Sequence, residues 1–284
     1  MHVRIWHNVF RSFFAFVLLT GCLNNPFGSS EISGEKREIK GSVALRDGAN
    51  PERVYIWLEG FQIGIFSGSA GEFTIKLPPK GNQGSPTGTD GLLRLYFYLA
   101  NYKLTTRQVI VNNSEFVYNR ADVNKNGDLA GTTQMRRFLR ISTSLSPPVI
   151  QQNYNGNIEM ATTLEAFDDS VTVIFPNAIG DQLGAVLLKN IDTGEVIIYE
   201  AIPGYRSRDK QVIGQFPKTR KMAFNLLLKP LLPGKYEVVP YLLISHEPIP
   251  ESLIESLKAK PEILSQDYLN LPFRRDGDIL EVRE

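Results

Sequence analysis

The stretch Leu92-Leu93-Arg94-Leu95-Tyr96-Phe97-Tyr98-Leu99 decides the fold class. In an extended chain successive side chains point to opposite faces, so Leu93, Leu95, Phe97 and Leu99 fall on one side. Arg94, Tyr96 and Tyr98 fall on the other. A helix would scatter the same residues around its surface, so the alternation reads as a strand with one buried face. Toward the N-terminus, residues 39–45, 54–58 and 73–77 are further short runs rich in β-branched and aromatic residues. Asp47-Gly48, Gly60, Ser69-Ala-Gly71 and Pro78-Pro79 punctuate them, as turns punctuate the strands of a sandwich or barrel. Residues 80–91 are a soft polar insert.

Toward the C-terminus the pattern continues in residues 108–111 and 138–142. It resumes in 171–175, 184–188, 195–199, 224–228 and 235–244. Asp192-Thr-Gly194 is the expected hairpin turn between two of these runs, and Pro240 marks an edge strand or bulge. Residues 251–259 alone look helical, with Leu253, Ile254 and Leu257 on one face after Pro250. Ser146-Pro147-Pro148 is the expected boundary, because consecutive prolines stop ladders and helices alike. The sequence therefore predicts an all-β chain of two β-sandwich domains, residues 37–146 and 149–284, with one short helix near the C-terminus. The second sandwich is expected to be immunoglobulin-like or related.

Lys and Arg number 31 against 30 Asp and Glu. No basic excess exists to neutralise phosphates, which argues against nucleic acid as a partner. The length is enough to bury a sizeable core. A single cysteine leaves no internal disulfide to supplement it.

The first residues read as a secretory leader. Arg4 and Arg11 lie in an acid-free start, Ser12-Phe-Phe-Ala-Phe-Val-Leu-Leu19 is uncharged, and Leu19-Thr20-Gly21-Cys22 places small residues before the cysteine. The apolar run falls well short of the roughly 20 residues of a membrane-spanning helix. Its last four residues resemble the lipobox of bacterial lipoproteins. That resemblance implies cleavage after residue 21 and acylation of Cys22, which would tether the protein to a lipid bilayer. Leu23 stands where an Asp tends to keep Gram-negative members at the inner membrane. The expected location is therefore the cell envelope, at the outer membrane where one exists. Residues 22–36, with Asn-Asn-Pro and Gly-Ser-Ser, read as a flexible tether.

Gly41-Ser-Val43, Asn50-Pro-Glu-Arg-Val54 running into Tyr55-Ile-Trp-Leu-Glu-Gly60, Gly71-Glu-Phe-Thr-Ile75 and Leu77-Pro78 together resemble the carboxypeptidase-regulatory-like, or transthyretin-like, domain. That family implies a small seven-stranded sandwich used as a non-catalytic accessory or binding module. The expectation for this chain is accordingly an anchored scaffold that binds an envelope protein or glycan. The alternative is a carbohydrate- or peptide-active hydrolase working through carboxylates.

Few residues offer chemistry. With His2 and His7 in the leader, His246 remains, beside Glu247-Pro248; it reads as a loop histidine or, against that, a general base. Asp122-Val-Asn124-Lys-Asn126-Gly127-Asp128 resembles the start of an EF-hand or dockerin calcium loop, with oxygens at positions 1, 3 and 5 and a glycine at 6. Position 12 is Thr133 instead of an acid. An Asn-Gly turn in a polar loop is the competing reading. Asp168-Asp169 and Asp276-Gly-Asp278 are candidate carboxylate pairs. Tyr96 and Tyr98, with Tyr102 and Tyr118, are candidates for an aromatic ligand platform, against ordinary use in packing.

Overall fold

The computed structural model describes residues 36–79, 90–245 and 248–284. Residues 37–284 form one compact unit. Among the described residues it is all-β, with a single short α-helix near the C-terminus and five sheets arranged as two sandwich-like domains. Among the described residues no helix is long and apolar enough to cross a membrane.

The first sandwich is built from β1 (Glu38–Leu45), β2 (Tyr55–Leu58), β3 (Ile63–Phe66), β4 (Glu72–Lys76), β5 (Gly91–Tyr98), β6 (Thr105–Asn112), β7 (Glu115–Phe116) and β8 (Thr133–Met135). One sheet runs β4-β1-β8 and the other β3-β2-β5-β6-β7. Ile39, Val43, Phe73 and Ile75 from the first sheet meet Ile56, Leu95, Phe97 and Val109 from the second in one core. Gly71, at φ +82°, lets the chain reverse into β4. A Cβ there would sit 2.1 Å from the Val43 carbonyl oxygen, far inside contact distance, so only glycine fits.

The second sandwich begins earlier than the prolines suggest. Strand β9 (Leu139–Ser146) lies before Ser146-Pro147-Pro148, yet it pairs along its whole length with β11 (Ile158–Ala166). The change of sheet falls between Met135 and Leu139, and the prolines merely end β9. The sheet runs β16 (Lys218–Phe224), β11, β9, β19 (Asp276–Gly277). The facing sheet runs β10 (Val149–Gln151), β20 (Ile279–Arg283), β17 (Gly234–Pro240), β13 (Ala185–Asn190), β14 (Val196–Glu200). A third, β15 (Arg208–Ile213), β12 (Val171–Pro176), β18 (Leu243–Ile244), completes it. The expected hairpin joins β13 to β14, with Gly194 at φ +75°. Pro240 ends β17 and so costs the ladder little. The run 224–228 is not a strand: β16 stops at Phe224, and residues 225–233 form a loop. Helix α1 (Glu251–Ser256) starts after Pro250 and buries Leu253.

The two sandwiches share a core. Tyr55, Trp57, Tyr96, Tyr98 and Ala100, on the outer face of the β2–β5 sheet, belong to the same apolar cluster as Leu253, Leu257, Tyr268 and Phe273. The C-terminal segment 248–275 therefore covers the face that an isolated first sandwich would show to water.

Candidate functional site

A polar lock marks the junction. Arg137 follows β8, and its side chain is 6% exposed. Its Nε lies 2.7 Å from Asp47 Oδ2 and donates to Tyr102 Oη at 2.8 Å. Tyr102 in turn donates to Asp47 Oδ2 at 2.8 Å. The guanidinium also stacks on the Tyr102 ring at 5.3 Å and pairs with Asp276 Oδ2 at 3.5 Å. Burial pushes the Tyr102 hydroxyl up to about 12, against the opposing pull of Arg137. Beside it Asn101, wholly buried, donates to the carbonyls of Leu139 at 2.9 Å and Arg274 at 2.8 Å and accepts from Arg274 N at 3.0 Å. A charged and an amide side chain thus sew β8, β9 and the C-terminal segment together, each with partners that offset its desolvation.

Next to the lock an apolar cavity of about 300 Å³ opens between the β5 end and the C-terminal segment. Its lining includes Tyr98, Ala100, Leu243, Ile244, Ile249, Ile254, Leu271 and Phe273, and Glu262 is its one charged residue. Glu262 is exposed and ion-paired with Arg208 at 2.7 Å. The walls are stiff. Tyr268 donates to Leu242 O at 2.8 Å, Tyr241 donates to Pro261 O at 2.9 Å, and their rings meet edge-on at 5.0 Å. Tyr55 Oη and Ser256 Oγ, 2.8 Å apart, pin α1 to β2. Burial raises the Tyr98 hydroxyl far above its ordinary range and takes that of Tyr241 to about 12, so both stay neutral at physiological pH. A smaller cavity of about 140 Å³, lined by Lys103, Leu104, Phe138 and Asp169, shares Ile249 as a wall. A mostly apolar cavity of this size with few polar groups suits an apolar side chain or small ligand.

The sequence-derived candidates fare differently. Tyr96 and Tyr98 do occupy the face opposite Leu93 and Leu95, but they are 5% and 3% exposed. Of the two readings, packing is the one seen: the C-terminal segment covers both rings, and of the two only Tyr98 reaches the cavity. Tyr102 serves the lock, and Tyr118 donates to Glu38 O at 2.6 Å. In the Asp122–Asp128 loop the oxygens turn inward. Asn124 Oδ1 accepts from Asn126 N at 2.8 Å and Asp128 N at 3.0 Å. Asn124 Nδ2 donates to Asp128 Oδ2 at 3.3 Å, and Asp122 Oδ2 accepts from Gln108 N at 2.7 Å. Gly127, at φ +85°, closes the turn. The two bonds of Asn124 Oδ1 are those of an Asx turn. Among the described residues no group of three or more His, Cys, Asp or Glu side chains is gathered around one point.

Neither acid pair converges on a cleft. Asp168 pairs with Arg136 at 3.2 Å and Asp169 with Lys103 at 3.4 Å. Asp276 binds Arg137 and Arg140, while Asp278 accepts from Leu145 N at 3.0 Å. Cys22 and His246 lie outside the described residues. Sequence reasoning missed Asn101, Arg137 and Glu262. Their types are ordinary on a surface, and only the fold makes the first two buried.

No known family model matches the chain, and no curated protein does. Among solved structures, the Bacillus anthracis TIE protein is similar over 72% of this chain and 45% of that chain, at 7% identity and a TM-score of 0.24. The chain thus spans less than half of that protein, and a likeness so slight carries no argument about fold or function.

Proposed function

We propose that this chain is a lipid-anchored envelope protein whose rigid double sandwich is a non-catalytic scaffold that binds a protein partner. The observation that carries this reading is the chemistry around the apolar cavity beside the lock. It is apolar, and its single carboxylate, Glu262, is already committed to Arg208. The acids singled out in the sequence are spent on ion pairs and backbone donors at the junction. A protein side chain suits such a cavity better than a glycan, because the tyrosines that would stack on a sugar are covered. Acyl chains on Cys22 would hold the body at the outer membrane where one exists, at about 0.8 kcal/mol per buried methylene. The tether would join β1 at Glu38, the end of that strand remote from Leu45 and the lock.

The test is membrane fractionation of cells expressing the chain, with mass spectrometry of the peptide carrying Cys22. Cys22→Ser is expected to release the protein from membranes and block processing. An unmodified thiol in the membrane fraction would overturn the anchor. Turnover of a cell-wall or polysaccharide substrate by the purified protein, abolished by one carboxylate substitution, would overturn the non-catalytic part in favour of the hydrolase.

A further inference from the structure

Strand β14 lies at the edge of the five-stranded sheet of the second sandwich. The other edge strands of five residues or more are guarded by charge, as exposed edges usually are. Strand β4 carries Glu72 and Lys76, β15 carries Arg208 and Lys210, and β16 carries Lys218 and Lys221. Strand β14 reads Val196-Ile-Ile-Tyr-Glu200, uncharged until its last residue, and Glu200 is already paired with Arg206 at 3.1 Å.

The ladder to β13 fixes which backbone groups of β14 face outward. Asn190 N donates to Glu195 O at 2.8 Å at one end, and Ala201 N donates to Gly184 O at 2.9 Å at the other. Bonded pairs alternate in an antiparallel ladder, so Ile197 and Tyr199 turn their groups to β13. Val196, Ile198 and Glu200 turn theirs away from the sheet. Among the described residues only the Ile198 carbonyl finds a partner there, Lys229 Nζ at 2.7 Å. Lys229 is therefore the single guard of this edge. It reaches across from the loop 225–233, 5.9 Å from the centre of the Tyr199 ring.

The ground beside the edge is apolar too. Ile202, just beyond β14, is 48% exposed, and Leu227 and Leu228, in the loop, are 65% and 92% exposed. The loop is held in place: Leu226 and Leu231 are buried in the core, and the Lys229 carbonyl accepts from Tyr199 Oη. Open backbone groups and exposed apolar side chains together select the occupant. A bilayer would cover the leucines but leave the outward N–H and C=O groups unsatisfied. A second copy, paired edge to edge about Ile198, would bring both Lys229 ammonium groups together at the two-fold axis. An extended peptide with an acid at its centre meets every group: its backbone continues the ladder, its apolar residues face Val196 and Ile198, and its carboxylate takes the displaced ammonium.

We infer that β14 receives an added strand from a protein partner, whose central acidic side chain draws Lys229 off the Ile198 carbonyl. The inference deepens the reading of the body as a protein-binding scaffold and places a contact at this edge. Substrate turnover would overturn that reading without touching the edge, and the titration below can fail with the anchor intact and turnover absent.

The probe is the capped heptapeptide Thr-Val-Thr-Glu-Thr-Val-Thr, with Lys in place of Glu as its control. It is titrated, with nuclear magnetic resonance detection, into the chain from residue 22 onward carrying Cys22→Ser. The Glu peptide should shift the amide signals of Val196, Ile198 and Glu200 and bind at least about 5-fold tighter than the Lys peptide. Lys229→Glu, at an exposed site, should reverse that preference. Methylating alternate backbone amides of the peptide should cost at least about 10-fold for the set that faces β14 and little for the other set. Ile198→Pro removes an outward N–H and leaves the bonds to β13 whole, so it should cost as much. If that variant fails to fold, the methylated peptides make the same test.

No shift along β14 with millimolar Glu peptide, equal losses from the two methylated sets, or a preference that Lys229→Glu leaves in place would overturn the inference. So would dimers of the unsubstituted chain that Ile198→Pro abolishes, which would give the edge to a second copy. Flotation with phosphatidylcholine vesicles that Leu228→Asp abolishes would overturn it in favour of a bilayer.

Discussion

Replacing Arg137 by Met is expected to destabilise the whole body by about 3 kcal/mol, in a single transition. Two of the contacts of Arg137 are short and charge-assisted, to Asp47 at 2.7 Å and to Tyr102 Oη at 2.8 Å, each worth about 1.5–3 kcal/mol. The pair with Asp276, at 3.5 Å on a largely exposed carboxylate, adds little. Met retains most of the packing against the Tyr102 ring. Asp47, 22% exposed, recovers part of its hydration, which trims the total. Breaking a buried pair by removing one partner costs about 3–5 kcal/mol, and the partial exposure of Asp47 places this case at the lower end. For a body of this size the loss corresponds to about 6–12 °C in Tm.

Tyr102→Phe alone should cost about 1–2 kcal/mol. The double substitution should fall short of additivity by at least about 1 kcal/mol, because both side chains serve the same Asp47 oxygen. The assay is urea unfolding of the chain from residue 22, followed by far-ultraviolet circular dichroism and by fluorescence. Trp57 is its one tryptophan, buried on the face covered by the C-terminal segment. A loss under about 1 kcal/mol would refute the lock. So would a Trp57 transition that separates from the dichroism in the unsubstituted protein, since the shared core requires the two to coincide.

Three more outcomes rest on the same geometry. Asn101→Ala should cost about 2–4 kcal/mol, since it strands two carbonyls and an amide at a wholly buried site; a calorimetric loss within about 0.5 kcal/mol would contradict this. Asn124→Ala should cost about 1–2 kcal/mol by opening the Asx turn, while millimolar calcium leaves the unfolding midpoint where it was. A midpoint that rises with calcium would mean that the loop oxygens are available after all. Stability should also fall at alkaline pH. Tyr102, Tyr199 and Tyr241 ionise at about 12 in the folded chain and near 10 when unfolded. Below pH 10 both states keep the proton. Above it the unfolded state releases first, so stability drains away between about pH 10 and 12, by up to roughly 2–3 kcal/mol per tyrosine. Urea midpoints that stay level across that window would exclude it.

How far the sequence could be read depends on whether a signal was local. The strand at 92–99 was legible from alternation, and the hairpin at 192–194 from its turn residues, because both reflect backbone geometry within a few residues. Strand β11 carries the same signal, with Ile158, Met160, Thr162, Leu164 and Ala166 all buried. Its small and polar members hide it among loop-like neighbours. The run 224–228 is apolar with no period, and it splits into a strand end and a displayed loop. Strands β3 and β15 sit at sheet edges with half their residues exposed, so little apolar patterning was needed there. In the Asp122–Asp128 loop both readings use the same residue types. What favours the turn is the direction in which Asn124 points.

By itself, then, the sequence determined an all-β chain, its principal turns and the helix near its C-terminus, since the periods of two and 3.6 are properties of short backbone segments. It could say which residues of a strand share a face. It could not say whether that face meets water or another layer. The tertiary structure decided that Tyr96 and Tyr98 are interior, that Arg137 is a buried lock and that Glu262 guards a cavity. The contacts responsible join residues as far apart as Tyr55 and Ser256, 201 positions along the chain. Burial at such separations is a property of the packed whole, and no local pattern encodes it.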